Sequence, residues 1–211
     1  GKYRTLADAK SRGIAGHSMG GYGAITLGMK HPEIFSVIYG MNPAIMGWAK
    51  DLTLDNPAFA LALSAKTLDD LMKGGVYSIA TLTVAQAFSP NPNRAPFYAD
   101  FPFENSNGKL RPMEPAFSRW EENFPVKMVQ KYRSNLLKLR GLRFDSGYED
   151  EYLFIPANSR ALSAELTGNG IEHIFEEYNG DHRNRLHGRT GRFFTEVLPY
   201  FWLLLESRQN K

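Results

Sequence analysis

Gly13-Ile14-Ala15-Gly16-His17-Ser18-Met19-Gly20-Gly21-Tyr22-Gly23-Ala24 is the stretch on which the fold turns. Arg12 to Gly16 reads as a brief buried strand. Gly20 to Lys30 reads as a helix rich in small residues, closed by His31-Pro32 because the residue before a proline resists helical geometry. Between them, Gly16-x-Ser18-x-Gly20 sets a serine on a sharp strand-to-helix turn, and Gly21 extends the motif. That turn forces strained backbone on the serine, so the residues two before and two after it must lack bulk. The Ser18 hydroxyl is then presented at the carboxyl end of a sheet. The Met19 N–H, at the helix N-terminus, is placed to stabilise an oxyanion. The competing reading is a glycine-rich turn carrying an inert serine; the flanking strand and helix argue against it.

Outward from this turn the chain alternates. Phe35-Ser36-Val37-Ile38-Tyr39-Gly40 is a second apolar strand, which completes a parallel strand–helix–strand unit. Upstream, Thr5 to Ser11 is a short helical stretch. A long middle section follows, about 46–139. Asn56-Pro57 opens a helix, Gly74-Gly75 ends that helical region, and Val76 to Phe88 is read as helix on its Ala and Gln. Ser89 to Pro115 is loop-like and rich in Pro, and Pro125 to Leu139 is helical again. This segment is far longer than an ordinary connection and is expected to form a cap or pocket wall. Trp48, Phe59, Phe88, Phe97, Tyr98, Phe101, Phe103 and Trp120 either line an acyl or aromatic pocket or pack the inserted helices.

Alternation then resumes. Leu142 to Asp145 is a strand, Ala157 to Thr167 a helix stopped by Gly168-Asn169-Gly170, and Ile171 to Tyr178 a strand. Phe193, Phe194, Val197, Leu198, Phe201, Trp202, Leu204 and Leu205 recur at helical spacing, as in a terminal helix packed on a sheet. The whole reads as one α/β domain over 1–211, its sheet mostly parallel and flanked by helices, with 46–139 inserted between the second and third strands.

Composition narrows the chemistry. The 211 residues contain no Cys, which excludes disulfides, thiolate nucleophiles and Cys-ligated metals. A net charge of +3, with Lys and Arg scattered, speaks against a nucleic-acid face. The longest apolar run, Val197 to Leu205, holds a Pro and falls well short of the roughly 18 residues of a membrane span. The lack of Cys suits any compartment.

A serine nucleophile needs a general base and an acid to orient it, and on this fold the chain order is serine, then acid, then histidine. His17 and His31 come too early, and His173 falls in the last strand, where a satisfied structural role suits it. His182, in the loop after that strand, is the base, with His187 as fallback. Among Asp145, Glu149, Asp150 and Glu151, Asp150 sits on the loop past Gly147 and best suits the acid; Asp145 is the alternative. A plain reading of this cluster is a solvated loop or a helix's first turn.

The run from Gly13 to Ala24 resembles the bacterial "putative esterase" (esterase D-like) branch of the α/β-hydrolases, which holds S-formylglutathione hydrolases, feruloyl esterases, enterochelin esterases and mycolyltransferases. Gly147-Tyr148-Glu149-Asp150-Glu151-Tyr152 is similar to that branch's acid loop, and Gly180-Asp181-His182 to its G-x-H. The resemblance covers nearly the whole chain and implies nucleophile, acid and base at Ser18, Asp150 and His182. It also implies several strands ahead of the elbow, and Ser18 lies too near the start of this sequence for them. The expectation is an exposed sheet edge covered by a partner, most simply another copy of this chain, as in a homodimer, or an N-terminal segment.

Three functions follow as expectations. The first is a serine carboxylesterase acting on a small-molecule ester through an acyl-enzyme, which needs no metal or organic cofactor. The second is an acyltransferase using the same intermediate, and the third an inactive binding or scaffold module.

Overall fold

The computed structural model describes residues 6–207. In chain order the first half holds β1 (Gly13–His17), α1 (Met19–Lys30), β2 (Val37–Met41), α2 (Pro57–Ser64), α3 (Leu68–Met72) and α4 (Gly75–Phe88). Then come β3 (Phe103–Ser106), β4 (Lys109–Pro112), α5 (Ala116–Glu121), α6 (Pro125–Lys131) and α7 (Arg133–Leu136). The last stretch holds β5 (Gly141–Gly147), α8 (Phe154–Gly168), β6 (Ile174–Tyr178), a π turn (Phe193–Val197) and α9 (Leu198–Leu204). The chain divides into two compact units: Gly1–Met46 with Met128–Lys211, and Gly47–Lys127.

The first unit is built on a four-stranded sheet of order β1-β2-β5-β6, parallel throughout. All five residues of β2 are buried, as a central strand covered on both faces must be. Ile38 and Gly40 face α1. A Cβ on Gly28 would meet Ile38 Cδ1 at 2.0 Å, so the small residues of α1 let the helix lie directly on the strand. Val37, Tyr39 and Met41 point the other way, into a cluster with Val197 and Tyr200. Among the described residues β1 has β2 as its one strand neighbour, and its five residues are only partly buried.

The second unit has its own aromatic interior. Trp48 stacks on Phe117 and Trp120 at ring-centroid distances of 5.1 and 6.1 Å, and Phe59 stacks on Phe103 at 5.3 Å. Such pairs contribute roughly 0.5–1.5 kcal/mol each beyond the area they bury. Of the eight aromatics noted in the sequence, Trp48, Phe59, Phe88, Phe101, Phe103 and Trp120 all take part in ring contacts of this kind.

Several boundaries differ from the sequence reading. The insertion ends at Lys127 instead of Leu139, and Asn135 of α7 donates to the Met29 carbonyl of α1, 3.1 Å away, tying that segment to the sheet unit. The loop-like Ser89–Pro115 contains a hairpin, β3–β4, turned at Asn107 and Gly108, both at positive φ (53° and 82°). Gly74-Gly75 does not end the helical region; Gly75, at φ 66°, only breaks α3 from α4. Pro125–Leu139 is two short helices with Tyr132 between them. The helix expected over Thr5–Ser11 is a 3-10 turn, Ala9–Ser11, capped by Asp8; Thr5 lies outside the described residues.

Helix α8 starts at Phe154, ahead of Ala157, because Pro156 falls in the first turn where its missing N–H is not needed. β6 starts at Ile174, after His173 has turned to share a 2.7 Å hydrogen bond with Ser163 of α8. The C-terminal stripe is narrower than its spacing suggested. Val197 and Tyr200 are buried, with Phe201, Leu204 and Leu205 packed beside them, whereas Trp202 is 80% exposed and Phe193, Phe194 and Leu198 are also exposed. Val197, Tyr200, Phe201, Leu204 and Leu205 recur at i, i+3, i+4, i+7 and i+8, so Leu198 and Trp202 fall off the face that packs on the sheet.

Candidate active site

Ser18 joins β1 to α1 at φ 56°, ψ −121°, a conformation that costs a non-glycine residue on the order of 1–3 kcal/mol. A Cβ on Gly16 would lie 2.1 Å from the Gly20 carbonyl oxygen, so Gly16 is required there. The second constraint falls one residue later than the sequence reading put it. A Cβ on Gly20 would meet nothing within 4 Å, whereas one on Gly21 would run into Pro43 at 2.8 Å. A serine ahead of a helix usually caps it by accepting from a backbone N–H. Ser18 makes no such bond, so its hydroxyl is left for another partner.

That partner is His182. Its Nε2 lies 2.9 Å from Ser18 Oγ, and its Nδ1 lies 2.8 Å from Asp150 Oδ2. Asp150 and His182 are only 1% and 3% exposed. The carboxylate can only accept, so Nδ1 carries the proton; Nε2 of the neutral ring then accepts from the Ser18 hydroxyl. The other Asp150 oxygen accepts from Tyr152 N–H at 2.8 Å, and the Tyr152 ring meets the imidazole edge-on at 4.9 Å. Every atom that could relay a proton from Ser18 is thus hydrogen-bonded in one row. Met19, whose N–H opens α1, is adjacent to that row.

The alternatives weighed in the sequence lie elsewhere. Asp145 is fully buried beneath the row, accepting from Tyr39 Oη at 2.8 Å and from Arg192 Nε at 2.9 Å. Arg192 also reaches Glu176 at 2.7 Å and lies over the Tyr178 ring, 4.2 Å from its centroid. His187 and Glu149 are exposed, and Glu151 accepts from His182 N–H at 3.3 Å. Among the described residues no group of three or more His, Asp or Glu is arranged to hold a metal ion, and no helix is long and apolar enough to cross a membrane.

Asn42 escaped the sequence reading. It follows β2 at φ 38° and is fully buried. Its Oδ1 accepts from Gly147 N–H at 2.7 Å, at the end of β5, and its Nδ2 donates to Tyr178 Oη at 2.7 Å and to the His182 carbonyl at 3.2 Å. It thereby joins the ends of three strands. The available signal was Asn-Pro directly after a buried strand, since Asn tolerates the left-handed region and can bond the backbone locally.

A family model described as "Putative esterase" matches residues 1–189. No curated protein matches the sequence significantly. Among solved structures, a ferulic acid esterase superposes with a TM-score of 0.54 at 18% identity, over 96% of this chain and 55% of that one. The apoenzyme of an S-formylglutathione hydrolase from Staphylococcus aureus gives 0.51 at 13% identity, over 97% and 58%. The chain spans a little over half the length of either, and what the two share with it is the fold.

Proposed function

Starting from the premise that this chain belongs to the "Putative esterase" family and has the α/β-hydrolase fold, we propose that it is a serine carboxylesterase whose nucleophile, base and acid are Ser18, His182 and Asp150. The observation that carries this reading is the hydrogen-bonded row Ser18–His182–Asp150, at 2.9 and 2.8 Å, on a serine held in strained backbone.

Ser18 Oγ attacks the ester carbonyl as its proton passes to His182 Nε2. Asp150 holds the Nδ1–H tautomer and stabilises the imidazolium without taking its proton. The Met19 N–H donates to the oxyanion of the tetrahedral intermediate; a donor of this kind is worth about 10²–10³ in rate. As the tetrahedral intermediate collapses, the bond to the alkoxy oxygen breaks and the imidazolium protonates it; the alcohol departs and the acyl group stays on Ser18. A water, deprotonated by His182, attacks the acyl carbonyl; the bond to Ser18 Oγ then breaks, Ser18 takes the proton back from His182, and the carboxylic acid is released. The substrate class is a carboxylic ester small enough to reach Ser18.

Replacing Ser18 by Ala should cut kcat on a p-nitrophenyl ester by about 10⁴-fold or more, with the unfolding midpoint unchanged. It should also abolish covalent labelling by a fluorophosphonate. Hydrolysis at the wild-type rate by that variant would assign the chemistry to other residues.

A further inference from the structure

His182 lies in a stretch without strand or helix. β6 ends at Tyr178, and the residues on its C-terminal side, Arg183 to Arg185, are exposed. A loop of that kind cannot hold an imidazole to within a fraction of an ångström by itself. Something must pin it.

Its carbonyl oxygen receives two side-chain donors. His17 Nε2 lies 2.7 Å from it and Asn42 Nδ2 3.2 Å. A carbonyl only accepts, so His17 carries its proton on Nε2. His17 is the last residue of β1 and Asn42 follows the last residue of β2, and these strands pair His17 with Met41. Both donors therefore stand on the rigid end of the sheet. His17 also directly precedes Ser18. The same two residues that set the nucleophile reach the base twice, Ser18 at its ring and His17 at its backbone.

We infer that His17, aided by Asn42, is a positioning residue that clasps the His182 carbonyl and thereby fixes the distance between Ser18 Oγ and His182 Nε2. This rests on the esterase reading only in treating His182 as the base. The His17 ring lies 4.7 Å from that of His182, tilted by 45°, so its charge state matters to any imidazolium formed there. Burial holds the His17 imidazole below its usual range; the His182 carbonyl pulls the other way, and the charges of His182 and His187 add to the lowering while that of Asp150 opposes it. A neutral His17 donates to the carbonyl without repelling the base.

Asn42 serves too many groups to be a clean probe; His17 is half-buried and serves one. The test compares His17→Leu, which removes the donor, with His17→Gln, whose amide N–H can replace it, and with His17→Ala in case Leu does not fold. Two signals are read in the full chain. One is the low-field proton resonance of His182 Nδ1–H against Asp150; the other is kcat and KM on a p-nitrophenyl ester. The Leu and Ala variants should lose or broaden the resonance and lower kcat roughly 10- to 100-fold, the loss typical of an ångström-scale misplacement, with KM within about two-fold. His17→Gln should restore most of both. Wild-type resonance and kcat in the Leu or Ala variant would overturn the inference, as would a folded Gln variant no better than them. If the resonance follows the series but the wild type cleaves no ester, the clasp stands and the esterase reading fails.

Discussion

At Ser18 the elbow concentrates its demands on very few atoms. Its backbone angles are tolerable only because Gly16 presents no Cβ to the Gly20 carbonyl, 2.1 Å from where that carbon would be. Gly16→Ala must open this turn or displace α1, and either movement carries Ser18 Oγ away from His182. It should lose fluorophosphonate labelling and fall by about 3 kcal/mol or more in urea unfolding, whereas Gly20→Ala, with open space around it, should unfold at the wild-type midpoint or slightly above. Equal damage from both substitutions would mean that the motif's second glycine is constrained by something other than its Cβ. The serine and Gly16 were legible in the sequence because a strained serine needs a small residue ahead of it; the second constraint sits at Gly21 because it comes from Pro43, a contact distant in sequence that the motif spacing does not encode. The contributions of His17 and Asn42 were not, because they are made to a backbone carbonyl more than a hundred residues away, and a backbone acceptor leaves no side-chain signature.

Elements were legible where one chemistry governed a whole segment. The four strands of the parallel sheet and α1 announced themselves through apolar runs and small residues, and Val76–Phe88 is helical as its composition suggested. The β3–β4 hairpin was obscured because prolines dominate its surroundings, although Asn107-Gly108 is the turn such a hairpin favours. The Asp150 loop shows how closely elements meet beside Ser18. A Cβ on Gly147, at the end of β5, would sit 2.2 Å from the Gly180 carbonyl oxygen, where the chain leaves β6 for His182. Glu149 N–H donates to that same carbonyl at 3.0 Å, fastening the two loops together. Gly147→Ala should therefore push the His182 loop off the Asp150 loop. We expect a loss of about 1–3 kcal/mol in stability and at least a ten-fold slower reaction with a fluorophosphonate. A variant that labels at the wild-type rate would show that the loops can part without separating His182 from Asp150.

At the scale of the molecule, the sheet unit carries an ionic network below the site that no local pattern foretold, because its members come from β5, β6 and the C-terminal segment. Arg143 pairs with Glu176 at 2.9 Å and with Glu196 at 2.6 Å, and Arg192 joins Glu176 to the buried Asp145. Breaking such a pair costs more than forming it gains, since the charge left behind is desolvated. Glu176 sets the acid limit of this arrangement. Burial pushes its carboxyl up, but the guanidiniums of Arg192 and Arg143 outweigh that and hold it below the usual carboxylate range. A depressed carboxyl contributes stability above its unfolded value, about 4.3, and that contribution disappears as pH falls through the folded value. Asp145 runs the opposite way, because burial holds its carboxyl above the usual range in spite of Arg192, so its share of the stability diminishes as pH rises. The two cannot be separated in the wild type alone. Urea unfolding of wild type and Glu176→Gln between pH 7 and pH 3 separates them: the wild type should be the more stable at neutral pH, and the gap should narrow as pH falls below the unfolded value of about 4.3. A gap that persists unchanged to pH 3 would mean that Glu176 stabilises the fold through its packing and not through its charge.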